Sequence, residues 1–134
     1  MKLWYQSMSR TAAWGGYHGF LTTFLDKIKD PGTEIELHGI TKVGGIADQY
    51  RYLEYLEAGE VMTNVQTAMR QGFDAFLIGN IADPGLRECK EIANGVVIFD
   101  AVEPVETLLA SRVGRSRRDA IEFLLKPAAH RRVG

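Results

Sequence analysis

Cysteine is almost absent from this sequence: Cys89 stands alone among 134 residues, which excludes an internal disulfide and a zinc site built from cysteines. No metal site is expected. Long apolar runs are missing too. No stretch of roughly 18 apolar residues is available to span a bilayer, and the opening MKLWYQSMSR has no apolar segment ending at a small-residue cleavage site. Cytoplasmic residence is therefore the default expectation. The paired glycines Gly15-Gly16 and Gly44-Gly45 do not form the spaced fingerprint that a dinucleotide requires between a first strand and its helix. No nicotinamide, flavin or other cofactor is indicated.

What is present is ordinary globular composition, 46% apolar and 25% charged, which excludes disordered and fibrous classes. A chain of this length buries well over half of its unfolded surface around one core. The net charge of −1 hides an uneven distribution. Residues 112–134 hold Arg112, Arg115, Arg117, Arg118, Lys126, Arg131 and Arg132 against Asp119 and Glu122, so this stretch carries +5 and residues 1–111 carry −6. Residues 1–114 read as one α/β domain and 115–134 as a basic C-terminal helix and tail. Phe123 is the only aromatic residue in that tail, and no nucleic-acid motif accompanies it, so a nucleic-acid partner is not expected.

Periodicity orders the elements. Residues 2–6 read as a first strand, followed by a helix in which Trp14, Tyr17, Leu21, Phe24, Leu25 and Ile28 recur at spacings of three and four. Asp30-Pro31-Gly32 ends it, and residues 33–38 alternate with period two, as an edge strand does. Residues 47–57 and 59–71 predict two helices interrupted at Gly59, the second carrying Val61, Met62, Val65, Ala68 and Met69 on one side. The nearly continuous apolar run 73–79 suits a central parallel strand covered on both faces. Asp83-Pro84 predicts a helix start, with Asp83 as N-cap and Pro84 at the first helical position, running to about Ala93. A fourth strand at 96–99 follows Asn94-Gly95, then helices near 103–113 and 116–126. Such alternation specifies a flavodoxin-like α/β fold: a parallel four-stranded sheet of order 2-1-3-4 with helices on both faces.

Ligands of open parallel sheets bind beyond the carboxyl ends of the strands, where strand order reverses. The polar residues delivered there are Gln6, Ser7 and Ser9 after the first strand, His38 after the second, Asn80 and Asp83 after the third, and Asp100 after the fourth. The N–H groups of Gly85 and Leu86, at the predicted helix start, would favour a carboxylate or phosphate at this mouth. His18 on the first helix ranks below these. Cys89, about six positions into its helix, suits the small buried hydrophobe that cysteine commonly is.

The segment Asp74-Ala75-Phe76-Leu77-Ile78-Gly79-Asn80-Ile81-Ala82-Asp83-Pro84-Gly85-Leu86-Arg87-Glu88 resembles the aspartate/glutamate/hydantoin racemase superfamily, most closely its hydantoin racemase branch. Lys2-Leu3-Trp4-Tyr5-Gln6-Ser7, Gly95-Val96-Val97 and Ala110-Ser111-Arg112-Val113-Gly114-Arg115 extend the resemblance over residues 1–115, the family's N-terminal half. The resemblance implies a cofactor-independent isomerase in which one cysteine removes the proton alpha to a carbonyl and a second returns it. Asn80 occupies the first cysteine's position, and a carboxamide cannot act as a base. The second cysteine belongs to the family's other half. Two readings follow. One is a racemase-like protein acting on an amino acid, hydantoin or related small carboxylate, with acid–base work moved to His38, Asp83 or Asp100. The other is a catalytically inactive binding or regulatory domain. A lone half would leave the family's interdomain cleft open, which makes a homodimer that rebuilds a covered site a further expectation.

Overall fold

The structure, a computed structural model, describes residues 1–10, 12–42 and 50–100. Four strands alternate with three helices: β1 (Lys2–Arg10), α1 (Gly15–Ile28), β2 (Glu34–Ile40), α2 (Arg51–Arg70), β3 (Ala75–Gly79), α3 (Leu86–Ile92) and β4 (Val97–Asp100). The strands are all parallel and lie in the order β2-β1-β3-β4, as the sequence predicts. The helices expected near 103–113 and 116–126, the basic tail and the domain boundary after Gly114 lie outside the described residues. Among the described residues no helix is long and apolar enough to cross a membrane.

Side chains alternate across a strand, so the register decides what shares a face. Trp4, Gln6 and Met8 of β1 point to one side together with Phe76 and Ile78 of β3 and Ile98 of β4. The core sits on that side. Val61, Val65 and Ala68 of α2 and Cys89 of α3 close over it, with Phe73, Ile40 and Val96 at its margins. Trp4 stacks at 5.9 Å on Phe76 and meets Phe73 edge-on at 5.3 Å. Each side chain fully buried here contributes about 1.5–3 kcal/mol. Leu3, Tyr5 and Leu77 on the opposite face are half-buried, and Val97 and Phe99 are exposed. β3 is thus sealed on one face and half covered on the other.

Boundaries differ from the sequence reading at β1, β2, α2, β3 and α3. β1 continues to Arg10 because it pairs with β2 at Arg10 and Ile40 after an irregularity that follows Gln6. α2 is one helix through Gly59. A helical glycine costs about 1 kcal/mol relative to alanine, and the buried series Glu57, Val61, Val65, Ala68 keeps the same stripe on both sides of it. The helix ends where Gly72, at φ +74, lets its own N–H reach Met69 O at 3.3 Å and the Phe73 N–H reach Ala68 O at 3.0 Å, a Schellman closure. This turn holds Phe73 outside β3, which begins at Ala75. The start of α3 belongs to the site.

α1 lies on the other face of the sheet. Only His18 is buried in it; Leu21 and Leu25 are half-buried, and Trp14, Tyr17, Phe24 and Ile28 are exposed. Among the described residues, most of its apolar stripe is therefore uncovered.

Candidate functional site

The residues expected at the carboxyl ends of the strands divide between the two faces of the sheet. His38, Gln6 and Asp100 lie in one row with Ile78, on the face that packs against α2 and α3. Ser7, paired with Gly79, points to the α1 side. The Gln6 carboxamide is saturated within the protein. Its oxygen accepts from Trp4 Nε1 at 3.0 Å and Asn64 Nδ2 at 2.8 Å, and its nitrogen donates to Ser7 O at 3.0 Å and His38 O at 3.3 Å. Two acceptor and two donor positions are all that a carboxamide offers, so Gln6 fixes the ends of β1 and β2 relative to α2. The His38 ring stacks on Trp4 with centroids 3.5 Å apart, and its Nε2 lies 3.4 Å from the Glu36 carboxylate that also holds Lys2. Burial lowers its pKa, partly opposed by Glu36, which favours a neutral ring at pH 7. Asp100 ends β4 almost fully buried.

Asn80 and Asp83 build the turn between β3 and α3. The Asn80 side-chain oxygen accepts the Ala82 N–H at 2.7 Å, an Asx turn, and its backbone oxygen accepts the Asp83 N–H at 3.2 Å. Asp83 then takes φ +49, and its backbone oxygen accepts the Leu86 N–H at 3.1 Å. Helix α3 consequently begins at Leu86 with Gly85 as its N-cap, which corrects the expected Asp83 cap and Pro84 start. The expected anion-binding pair of N–H groups is also corrected, since that of Leu86 is already used. Gly85 itself is required: it sits at φ +74, and a Cβ there would stand 3.4 Å from Ala58 of α2.

A groove of about 680 Å³ opens between α2 and this turn, lined by Arg51, Glu54, Tyr55, Met62, Asp83 and Glu88 among others. Arg51 lies 3.3 Å from the Glu54 carboxylate. Three carboxylates against one guanidinium make these walls acidic and disfavour an anion on this side. Above the end of β2, Glu60 receives the backbone N–H groups of Thr41 and Lys42 and the Thr41 hydroxyl, at 2.7–2.9 Å. Cys89 is fully buried, and desolvation with the nearby Glu88 charge pushes its thiol up to about 12, so it is inert rather than nucleophilic. No group of three or more His, Cys, Asp or Glu able to hold a metal ion is found among the described residues.

On the α1 side the structure assembles a group that the sequence ranks low. The Ser7 and Ser9 hydroxyls are 2.7 Å apart, the Ser9 N–H donates to Ser7 Oγ at 3.2 Å, and Ser9 Oγ lies 2.6 Å from His18 Nε2. His18 is 5% exposed. Burial lowers its pKa, and among the described residues its Nδ1 makes no hydrogen bond. The available signal was positional: a strand followed by its crossover helix brings that helix's first turn back over the strand's carboxyl end. His18, the fourth residue of α1, is in that turn.

No protein-family model matches this sequence, and no curated protein matches it. Among solved structures, allantoin racemase from Klebsiella pneumoniae superposes with a TM-score of 0.70 and 21% identity over 86% of this chain. The match takes up 45% of that protein, so this chain spans less than half its length. The likeness establishes that this four-stranded unit has a racemase-like fold.

Proposed function

We propose that this protein is a racemase-family relative that binds a small carboxylate or hydantoin-type ring at the carboxyl ends of β1, β3 and β4, and that it acts as a cofactor-independent, cytoplasmic isomerase. The likeness to a racemase named for allantoin, itself a substituted hydantoin, is the observation that carries the reading. The Asn80–Leu86 turn supports it, because it ends the central strand at the point where strand order reverses. Ser7 from the α1 face and Gly85 and Asp100 from the opposite face contribute the binding groups, with Gln6 and His38 behind them, and the acidic groove walls favour the uncharged hydantoin-type ring over a carboxylate. Asn80 orients the turn and takes no proton. Proton transfer from a carbon alpha to a carbonyl then falls to a carboxylate, Asp83 or Asp100, since Cys89 is inert. A second copy of the chain completes the cleft.

A binding or regulatory domain without catalysis is the second reading. The Asn80 side chain favours it, being committed to the Ala82 N–H at the position where the resemblance places a base. One experiment separates the two: alpha-proton exchange followed by NMR in heavy water, with 5-substituted hydantoins, amino acids and hydroxy acids. Exchange by the wild type is the expected result for an isomerase. Binding without exchange identifies the second reading, and neither binding nor exchange across the panel overturns both.

A further inference from the structure

We infer that Ser9 is a nucleophile activated by His18, forming a serine–histidine pair able to accept an acyl group from small carboxylic esters. A serine hydroxyl becomes nucleophilic when a base takes its proton at hydrogen-bond distance. Ser9 Oγ and His18 Nε2 are 2.6 Å apart. The imidazole is nearly enclosed, and burial disfavours its charged form; in the tautomer that carries its proton on Nδ1, Nε2 accepts from the Ser9 hydroxyl. Ser7 Oγ, 2.7 Å from Ser9 Oγ, is anchored by the Ser9 N–H, so the reacting hydroxyl is held from two sides. Ser9 remains half-exposed and reachable.

The surroundings match what acyl transfer needs. α1 starts at Gly15, its N-cap Trp14 makes no side-chain capping hydrogen bond, and its first turn, which carries His18, holds no acidic residue. The first N–H groups of a helix lack intrahelical partners and favour developing negative charge. Among the described residues nothing lies within 4 Å of where a Cβ at Gly15 or Gly16 would stand.

The step balances without a further reagent. Ser9 Oγ bonds to the carbonyl carbon while its proton passes to His18 Nε2. The ester C–O bond breaks, and the alcohol leaves with that proton. Water then attacks the acylated Ser9, giving its proton to His18, which returns it to Ser9 Oγ as the carboxylic acid departs.

A fluorophosphonate probe tests this directly, with the adduct located by peptide mass spectrometry on the full chain. The expected result is a single adduct on Ser9, absent in Ser9→Ala and formed at least about 100-fold more slowly in His18→Gln, the usual scale of general-base assistance. No adduct on Ser9 in the folded wild type, or equal rates in His18→Gln, overturns the inference. Should circular dichroism show that His18→Gln does not fold, the folded wild type is compared with the same chain in denaturant. A rate about 100-fold higher when folded upholds the pair, and equal rates overturn it. The outcome is independent of alpha-proton exchange, so this inference and the racemase reading fail separately.

Discussion

Replacing Glu60 by Gln isolates how α2 holds the end of β2. Glu60 is 6% exposed. Its Oε1 accepts the Thr41 N–H and hydroxyl, each at 2.7 Å, and its Oε2 accepts the Lys42 N–H at 2.9 Å. A carboxamide of the same shape keeps its oxygen on Thr41 and turns its NH₂ toward the Lys42 N–H, donor against donor. The loss is one hydrogen bond to a charged acceptor and a partner for one enclosed N–H, together about 2–3 kcal/mol. With a urea slope of about 1–3 kcal/mol per molar, the unfolding midpoint falls by roughly 1 M at pH 7, read by circular dichroism. The effect is also pH-dependent. Burial by itself raises the Glu60 pKa, but the Thr41 side chain, the backbone of Lys42 and Thr41 and the Lys42 charge outweigh it and bring the pKa below its ordinary 4.5. The folded state therefore binds this proton less readily than the unfolded one. The contribution is complete above the unfolded value and fades as pH falls through the folded one, so the gap between wild type and Glu60→Gln narrows in acid. Equal midpoints at pH 7, or a gap that stays constant from pH 7 to pH 3, would refute this account.

Other parts of the fold give sharp expectations. Phe76→Ala empties the centre of the core beneath Trp4 and costs about 3–5 kcal/mol in denaturant unfolding; a loss below 1 kcal/mol would mean the core is not centred there. Gly85→Ala forces a side chain into the left-handed region against Ala58 and costs about 1–2 kcal/mol, seen as a lower melting temperature, whereas an unchanged melt would contradict the left-handed turn. The Cys89 thiol, enclosed and raised to about 12, stays unmodified by an aromatic disulfide reagent at pH 8 until the chain unfolds. Rapid modification of the native protein would show that α3 does not seal it.

Sequence alone determined the order of secondary elements and hence the topology, because strand and helix periods are local and alternating elements admit few parallel arrangements. The 73–79 run, the stripe Val61, Val65, Ala68 and the alternation at 33–38 all reach the structure as central strand, core helix and edge strand. The sequence places Gln6, Ser7 and Ser9 after β1, whereas the structure keeps them within it and divides the polar residues between the two faces of the sheet. Tertiary structure decided what those residues do. Facing and hydrogen-bond saturation depend on partners distant in sequence: Asn64 and His38 for Gln6, 58 and 32 positions away, and Ala58 for Gly85. The Asx turn at Asn80, itself a local contact, displaced the expected Asp83-Pro84 helix start, and the continuous buried face of α2 overrode the helix-breaking tendency of Gly59. Pairing His18 with Ser9 required the crossover that returns α1 to the end of β1, a contact no local pattern encodes.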